Sequence, residues 1–165
     1  MSYTKKILEE MNRKAVSMSA QNKIFLEKLA KTKPKNLDKI VHELHIDTFE
    51  KIDCLECANC CKSLGPMLFD SDIDRMASAL KMKSSIFREK YIKVDEDGDY
   101  VFNQSPCPFL GHDNYCFIYE NRPKACREYP HTDRKRFYQI CIKTWHNSLT
   151  CPAVYSIVNE LKKNF

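Results

Sequence analysis

The chain has 165 residues, of which 43% are hydrophobic, and a formal net charge of +5. That length and apolar content suit one compact domain with its own core, so small size does not force reliance on crosslinks. Three glycines and seven prolines exclude a collagen-like or low-complexity chain, and so small a basic balance, evenly mixed with acids, does not by itself call for nucleic acid or a membrane surface.

Residues 4–31 carry Ile7, Leu8, Met11, Ala15, Met18, Phe25 and Leu29 mostly at three- and four-residue steps. This predicts one long amphipathic helix, with Asn22 interrupting its apolar stripe. Lys33-Pro34-Lys35 breaks it. A second helix is predicted over 36–50, with Leu37, Ile40, Val41, Leu44 and Phe49 on its apolar side and His45 partly buried beside them. A cysteine-rich loop follows and ends at Gly65-Pro66. Asp70 or Ser71 then caps a helix running to about residue 81, and a further helical piece covers 84–91. The segment YIKVDEDGDYVFN reads as two short strands around an Asp-Gly turn. Its acidic tip lacks the spacing and closing Glu of a calcium loop and reads as a solvated turn.

Residues 105–151 are predicted to be irregular. Pro152 opens a last helix, with Ala153, Val154, Ile157, Val158 and Leu161 as its apolar stripe. Trp145 is expected to pack against that helix. The expected fold is mainly α with a small β hairpin, its helices packed around long cysteine-rich metal-binding loops. A single domain over 1–165 is expected, with an N-terminal helical region at 1–50 and a cysteine-cluster region at 51–165. The charged start is unlike a secretory signal, and no segment approaches the roughly 20 apolar residues of a membrane span. A cytoplasmic location without a membrane is therefore expected, where stable disulfides are uncommon.

The chemistry must come from the nine cysteines. Cys54, Cys57 and Cys60 have the C-x2-C-x2-C spacing, and Cys61 follows directly. Each two-residue gap lets the backbone curl around a centre and turn successive sulfurs inward. Thiolates are soft, charged ligands suited to zinc and iron. Cys107, Cys116, Cys126, Cys141 and Cys151 lie far along the chain, and Cys107 and Cys151 each precede a proline, which removes a competing backbone donor. Adjacent Cys60 and Cys61 point their side chains differently, so one shared centre or two adjacent ones are both open. The expectation is that the first loop and the distal cysteines share one folded centre.

In YENRPKACREYP, Arg122 and Arg127 are candidates to offset thiolate charge from outside the ligand set, and Tyr119 and Tyr129 to cover the centre or simply pack. His112, His131 and His146 are weaker candidates for outer or surface roles. Arg122, Lys124 and Arg127, then Arg134, Lys135 and Arg136 with Phe137 and Tyr138, form a basic and aromatic mixture. It could contact nucleic acid, but a solvated basic face beside packed aromatics is the preferred reading.

CLECANCC at 54–61, CPFL at 107–110, CFIYENRPKACREYP at 116–130 and CPAV at 151–154 resemble the YkgJ-like cysteine-cluster family of zinc- or iron-chelating domains. The resemblance spans roughly 50–160 and implies eight shared cysteines as metal ligands: Cys54, Cys57, Cys60, Cys61, Cys107, Cys116, Cys126 and Cys151. Cys141 is then the additional one, in a structural or supporting role. The family includes relatives of flagellin lysine methylases, a branch associated with an iron–sulfur cluster. No methyl-donor domain or glycine loop is visible here, so methylation is not carried over.

The leading expectation is an iron–sulfur protein, with a [4Fe–4S] cluster or related iron centre and a one-electron role toward a redox or protein partner. The alternative is a structural zinc protein for macromolecular interaction, since two zinc sites of four cysteines each would use eight thiols. No enzyme activity is assigned, and a homo-oligomer is left open.

Overall fold

A computed structural model describes residues 3–165 of the chain, which folds as two compact units. One comprises the residues up to Cys57 together with Pro130–Phe165, and the other Ala58–Tyr129. Helices dominate both, and one two-stranded antiparallel hairpin accompanies them. No helix among the described residues is long and apolar enough to cross a membrane.

In chain order, the first unit opens with α1 (Lys5–Ser17) and α2 (Ser19–Thr32), then α3 (Leu37–Phe49) and the single turn α4 (Cys54–Cys57). The expected continuous first helix is broken at Met18, whose backbone leaves the helical region (φ −97, ψ 7). The break lets the two halves bury different faces. Leu8 of α1 packs with Ile52 and Ala153, whereas Leu26 and Leu29 of α2 join the main core. Asn22, which interrupts the stripe, is fully buried and accepts from Lys162 Nζ at 2.5 Å. Trp145 is held from α2 as well, its indole N–H donating to the Ser19 carbonyl and hydroxyl.

The second unit starts with α5 (Asn59–Ser63), α6 (Asp70–Ala79) and α7 (Ser84–Tyr91). Strands β1 (Ile92–Val94) and β2 (Tyr100–Phe102) pair with Ile92 opposite Phe102 and Val94 opposite Tyr100. The acidic tip between them is closed by Asp95, whose carboxylate accepts from the Asp97 and Asp99 amides at 3.0 and 2.9 Å. Gly98 supplies the positive φ of 87° that this turn requires. The short helix α8 (Lys124–Glu128) ends the unit. Its core gathers Leu68, Ile73, Met76, Phe87, Phe102, Phe109 and Ile118, and Phe109 packs edge-on against Phe102 at 5.5 Å.

The chain then returns to the first unit through α9 (Cys141–Ser148) and α10 (Pro152–Leu161). The region expected to be irregular, 105–151, thus holds α8 and α9, which its cysteine spacing did not reveal. Pro152 stands in the first turn of α10, and Ala153, Val154, Ile157, Val158 and Leu161 are all fully buried. This helix is the axis of the first unit and packs against α1, α3 and α9. Phe137 is likewise fully buried with Leu26, Leu37 and Val41. It is therefore part of the core and offers no face for stacking a base.

The loop before Phe137 is held by Asp38 in the first turn of α3. Its carboxylate accepts from the Arg136 and Phe137 amides at 2.7 and 2.9 Å, which supports a left-handed backbone at Arg136 (φ 57). Asp38→Ala is expected to lower stability by about 2 kcal/mol, because bonds to a charged acceptor are lost. Phe87→Ala, in the core of the second unit, is expected to cost about 3–5 kcal/mol. Urea denaturation of each variant checks both.

Candidate metal centre

The nine cysteines fall into three environments. Cys60, Cys61, Cys107, Cys116 and Cys126 belong to the second unit, while Cys54, Cys57, Cys151 and Cys141 belong to the first. Within the first unit Cys141 stands in the main apolar core, 1% exposed, and its thiol donates to the Phe137 carbonyl at 3.7 Å. Burial alone raises its pKa to about 11. Its surroundings are those of a small core side chain.

In the second unit the backbone brings distant thiols together. The Cys107 amide donates to the Cys61 carbonyl at 2.8 Å, and Ser105 Oγ donates to the Lys62 carbonyl at 3.2 Å. These bonds fasten the CPFL segment to α5. Cys107 is linked to Cys116 by a narrow loop, in which Leu110 and Cys116 form a β-bridge. Its further bonds run from the Gly111 amide to the Tyr115 carbonyl at 2.7 Å and from the Phe117 amide to the Phe109 carbonyl at 2.9 Å. A Cβ on Gly111 would come within 2.7 Å of Asp113 Oδ1 and 3.2 Å of the Tyr115 carbonyl, so a side chain there would require the Asp113 carboxylate and the loop to shift. Both Cys107 and Cys116 pack against the unit's aromatic core. Cys126 sits in α8.

The electrostatics follow from this gathering. Burial pushes the Cys126 thiol up to about 12, with further upward pressure from Cys61, Cys107 and Cys116. Burial pushes Cys107 up to about 11, with Cys61 and Cys116 adding to it. Cys116 is also raised, by burial first and then by Cys61. Cys61 moves the other way, to about 7. A hydrogen bond with Cys60 lowers it most, burial opposes this, and Arg122 and Lys62 lower it further. The Cys60 and Cys61 sulfurs are 3.9 Å apart. Four thiols at residues 61, 107, 116 and 126 therefore sense each other's charge.

The first unit has a smaller set. Cys57 and Cys151 pack against Leu8, Ile52 and Ala153, and Cys54 is exposed. Burial pushes Cys151 up to about 12, and charge on Cys54 and Cys57 would raise it further. The two Cys-Pro sequences share one local device. Cys107 is approached by the amides of Phe109 and Leu110, and Cys151 by those of Ala153 and Val154. In each case the residues two and three positions on donate toward the sulfur, past a proline that has no N–H of its own. These bonds favour the thiolate, although burial outweighs them in the absence of a cation.

Arg122 acts on Cys61, Cys116 and Cys126. Its guanidinium lies 3.5 Å from the centre of the Tyr119 ring, and its Nε donates to the Tyr119 carbonyl at 2.7 Å. Arg127, expected in the same role, donates to the Arg122 carbonyl at 2.6 Å. Sequence reasoning missed Asp72 and Arg75 of α6, which reach the same loop. In the stretch DSDIDR they look like ordinary first-turn helix residues, and no local signal marks their distant partners. Among the described residues, no three His, Cys, Asp or Glu side chains are grouped so as to hold a single metal ion.

The donor chemistry suits iron or zinc: soft thiols, gathered by backbone bonds, with amides and a cation nearby to offset thiolate charge. Residues 53–148 match the CxxCxxCC family, described as a "putative zinc- or iron-chelating domain". No curated protein and no solved structure matches the chain.

Thiols raised by burial must lose protons to bind a cation, so metal uptake by the apo chain is expected to release protons and to weaken as pH falls. In the metal-free chain at pH 7.5, the Cys60–Cys61 pair is expected to alkylate with iodoacetamide at least about tenfold faster than Cys107 or Cys126. Labelling followed by peptide mass spectrometry reads this order. Equal rates would show that the pair is not preferentially ionised.

Proposed function

The chain belongs to the CxxCxxCC family of zinc- or iron-chelating domains, and from that premise we propose that Cys61, Cys107, Cys116 and Cys126 hold a [4Fe–4S] centre that passes one electron. One observation carries this reading. The four thiols influence each other's charge, so they share one neighbourhood. A zinc ion holds thiolates at about 2.3 Å, which places their sulfurs only ~3.8 Å apart. A four-iron core is larger and takes thiolates spread more widely around it. Four thiols in one neighbourhood match the four protein ligands that such a core takes.

Three further features support the proposal. Arg122 offers positive charge to a centre that four thiolates would leave negative. The amides of Phe109, Leu110 and Ile118 approach the Cys107 and Cys116 sulfurs, and hydrogen bonds to cluster sulfurs tune the potential. The aromatic core backs Cys107 and Cys116 on one side. Cys54, Cys57 and Cys151 form a second thiolate set in this reading, able to take a further iron or zinc. A zinc reading draws on the Cys60–Cys61 sulfur separation of 3.9 Å, which is close to a tetrahedral edge.

Anaerobic purification with iron, zinc and acid-labile sulfide analysis separates the two. The expected result is roughly four iron and four sulfide per chain, with broad visible absorption that bleaches on reduction. Zinc without sulfide would overturn the cluster. Serine at Cys61, Cys107, Cys116 or Cys126 is expected to abolish the sulfide-bearing iron, whereas Cys141→Ala is expected to keep it.

A further inference from the structure

We infer that Asp72 and Arg75 of α6 form a clamp, anchored on the buried Asp72 carboxylate, that positions Arg122 and Cys126, and so sets how tightly the four-thiol group holds its metal. This rests on the four-thiol site proposed above, but not on the metal being iron.

Asp72 is 1% exposed. Its Oδ2 accepts from the Phe69 amide at 3.1 Å, an ordinary bond at a helix start. Its Oδ1 does something that capping does not require. It accepts from the Lys124 amide at 3.0 Å, at the first residue of α8, and from Arg75 Nη2 at 2.6 Å. The same Arg75 nitrogen donates to the Arg122 carbonyl at 2.8 Å. Two backbone groups of the loop are thus gripped from one turn of a helix about fifty positions upstream, and Arg127 adds a second bond to the Arg122 carbonyl.

The grip has two ends that matter for the thiols. On one side of Pro123, Arg122 lies over Tyr119 with its charge reaching Cys61, Cys116 and Cys126. On the other, the Cys126 amide bonds back to the Pro123 carbonyl at 3.0 Å, so Cys126 follows wherever Lys124 is held. A carboxylate as buried as Asp72 is seldom retained for stability alone, since apolar packing often does as well. Here its free bonding capacity goes to the loop that carries a thiol. Outer partners of metal ligands typically change metal affinity about 10–100-fold when removed. Asp72 and Arg75 touch no metal and are positioning residues.

The test compares Arg75→Met and Arg75→Lys with Arg88→Met. Arg88 belongs to the same unit and also pairs with an α6 carboxylate, Asp70, at 2.6 Å. Arg75→Lys keeps a cation for Asp72 but ends one atom short of Nη2, the one nitrogen that donates both to Asp72 and to the Arg122 carbonyl. Each anaerobically purified holoprotein is challenged with excess chelator. Metal release is followed by elemental analysis and by the thiolate-to-metal charge-transfer band, with cobalt(II) loaded as the probe if the native metal is zinc. Apo-protein Tm is measured in parallel. Both Arg75 variants are expected to release metal about tenfold faster than wild type and to shift the band; Arg75→Met, which leaves the buried Asp72 carboxylate without its cation, is also expected to lower Tm, whereas Arg75→Lys is expected to keep Tm near that of Arg88→Met. Release and spectra matching those of Arg88→Met would overturn the clamp. Should Arg75→Met fail to fold, Arg75→Lys alone decides by the same criteria. A chain holding zinc without sulfide would overturn the iron–sulfur reading alone, and the clamp is then judged on zinc release.

Discussion

Putting several ionisable sulfurs into a space where each raises the next is costly unless a cation joins them. Cys107 and Cys126 are driven to about 11 and 12 by burial and by their neighbours. Without a metal the protein must keep these thiols protonated, and with one it regains the cost as coordination. The elements around the thiols manage that charge. Amides point at Cys107, Cys116 and Cys151, and Arg122 stands near three of the four clustered sulfurs.

Backbone bonding, more than apolar packing, assembles the four-thiol group. The bond from Cys107 to Cys61, the narrow loop from Phe109 to Phe117 and the turn before Cys126 are all main-chain contacts. Such contacts fix where a thiol sits without asking much of the side chains between. Packing enters at the next layer, where Phe87, Phe102 and Phe109 form a wall against which Cys107 and Cys116 rest. Asp72 and Arg75 then tie α8 to α6 by polar bonds, where the loop offers carbonyls and amides and few apolar groups.

The CLECANCC stretch is less uniform than its spacing suggests. Its first two cysteines occupy the turn α4 in one unit, and its last two lie in α5 of the other. Between them Ala58 adopts a left-handed backbone (φ 50), which ends one helical turn before the next begins. In the first unit, Cys54 and Cys57 meet Cys151. In the second, Cys61 meets Cys107, Cys116 and Cys126. A single crowded motif thus serves two neighbourhoods of distal thiols.

Strong local periodicity made α3, α6, α7, the hairpin and α10 legible, because an apolar stripe or an Asp-Gly turn is decided within a dozen residues. The thiol chemistry was also legible, since nine cysteines in such a chain point to soft-metal ligation. The break at Met18 was not, because it depends on which distant core each half-helix joins. Nor was the separation of Arg122 from Arg127, two arginines alike in sequence but given different work by Tyr119 and the Arg122 carbonyl. Sequence alone determined the kind of ligand and the helices that frame it. Only the tertiary structure decided which sulfurs are neighbours and that Asp72 reaches Lys124, because those contacts join residues tens of positions apart through backbone groups that every amino acid carries.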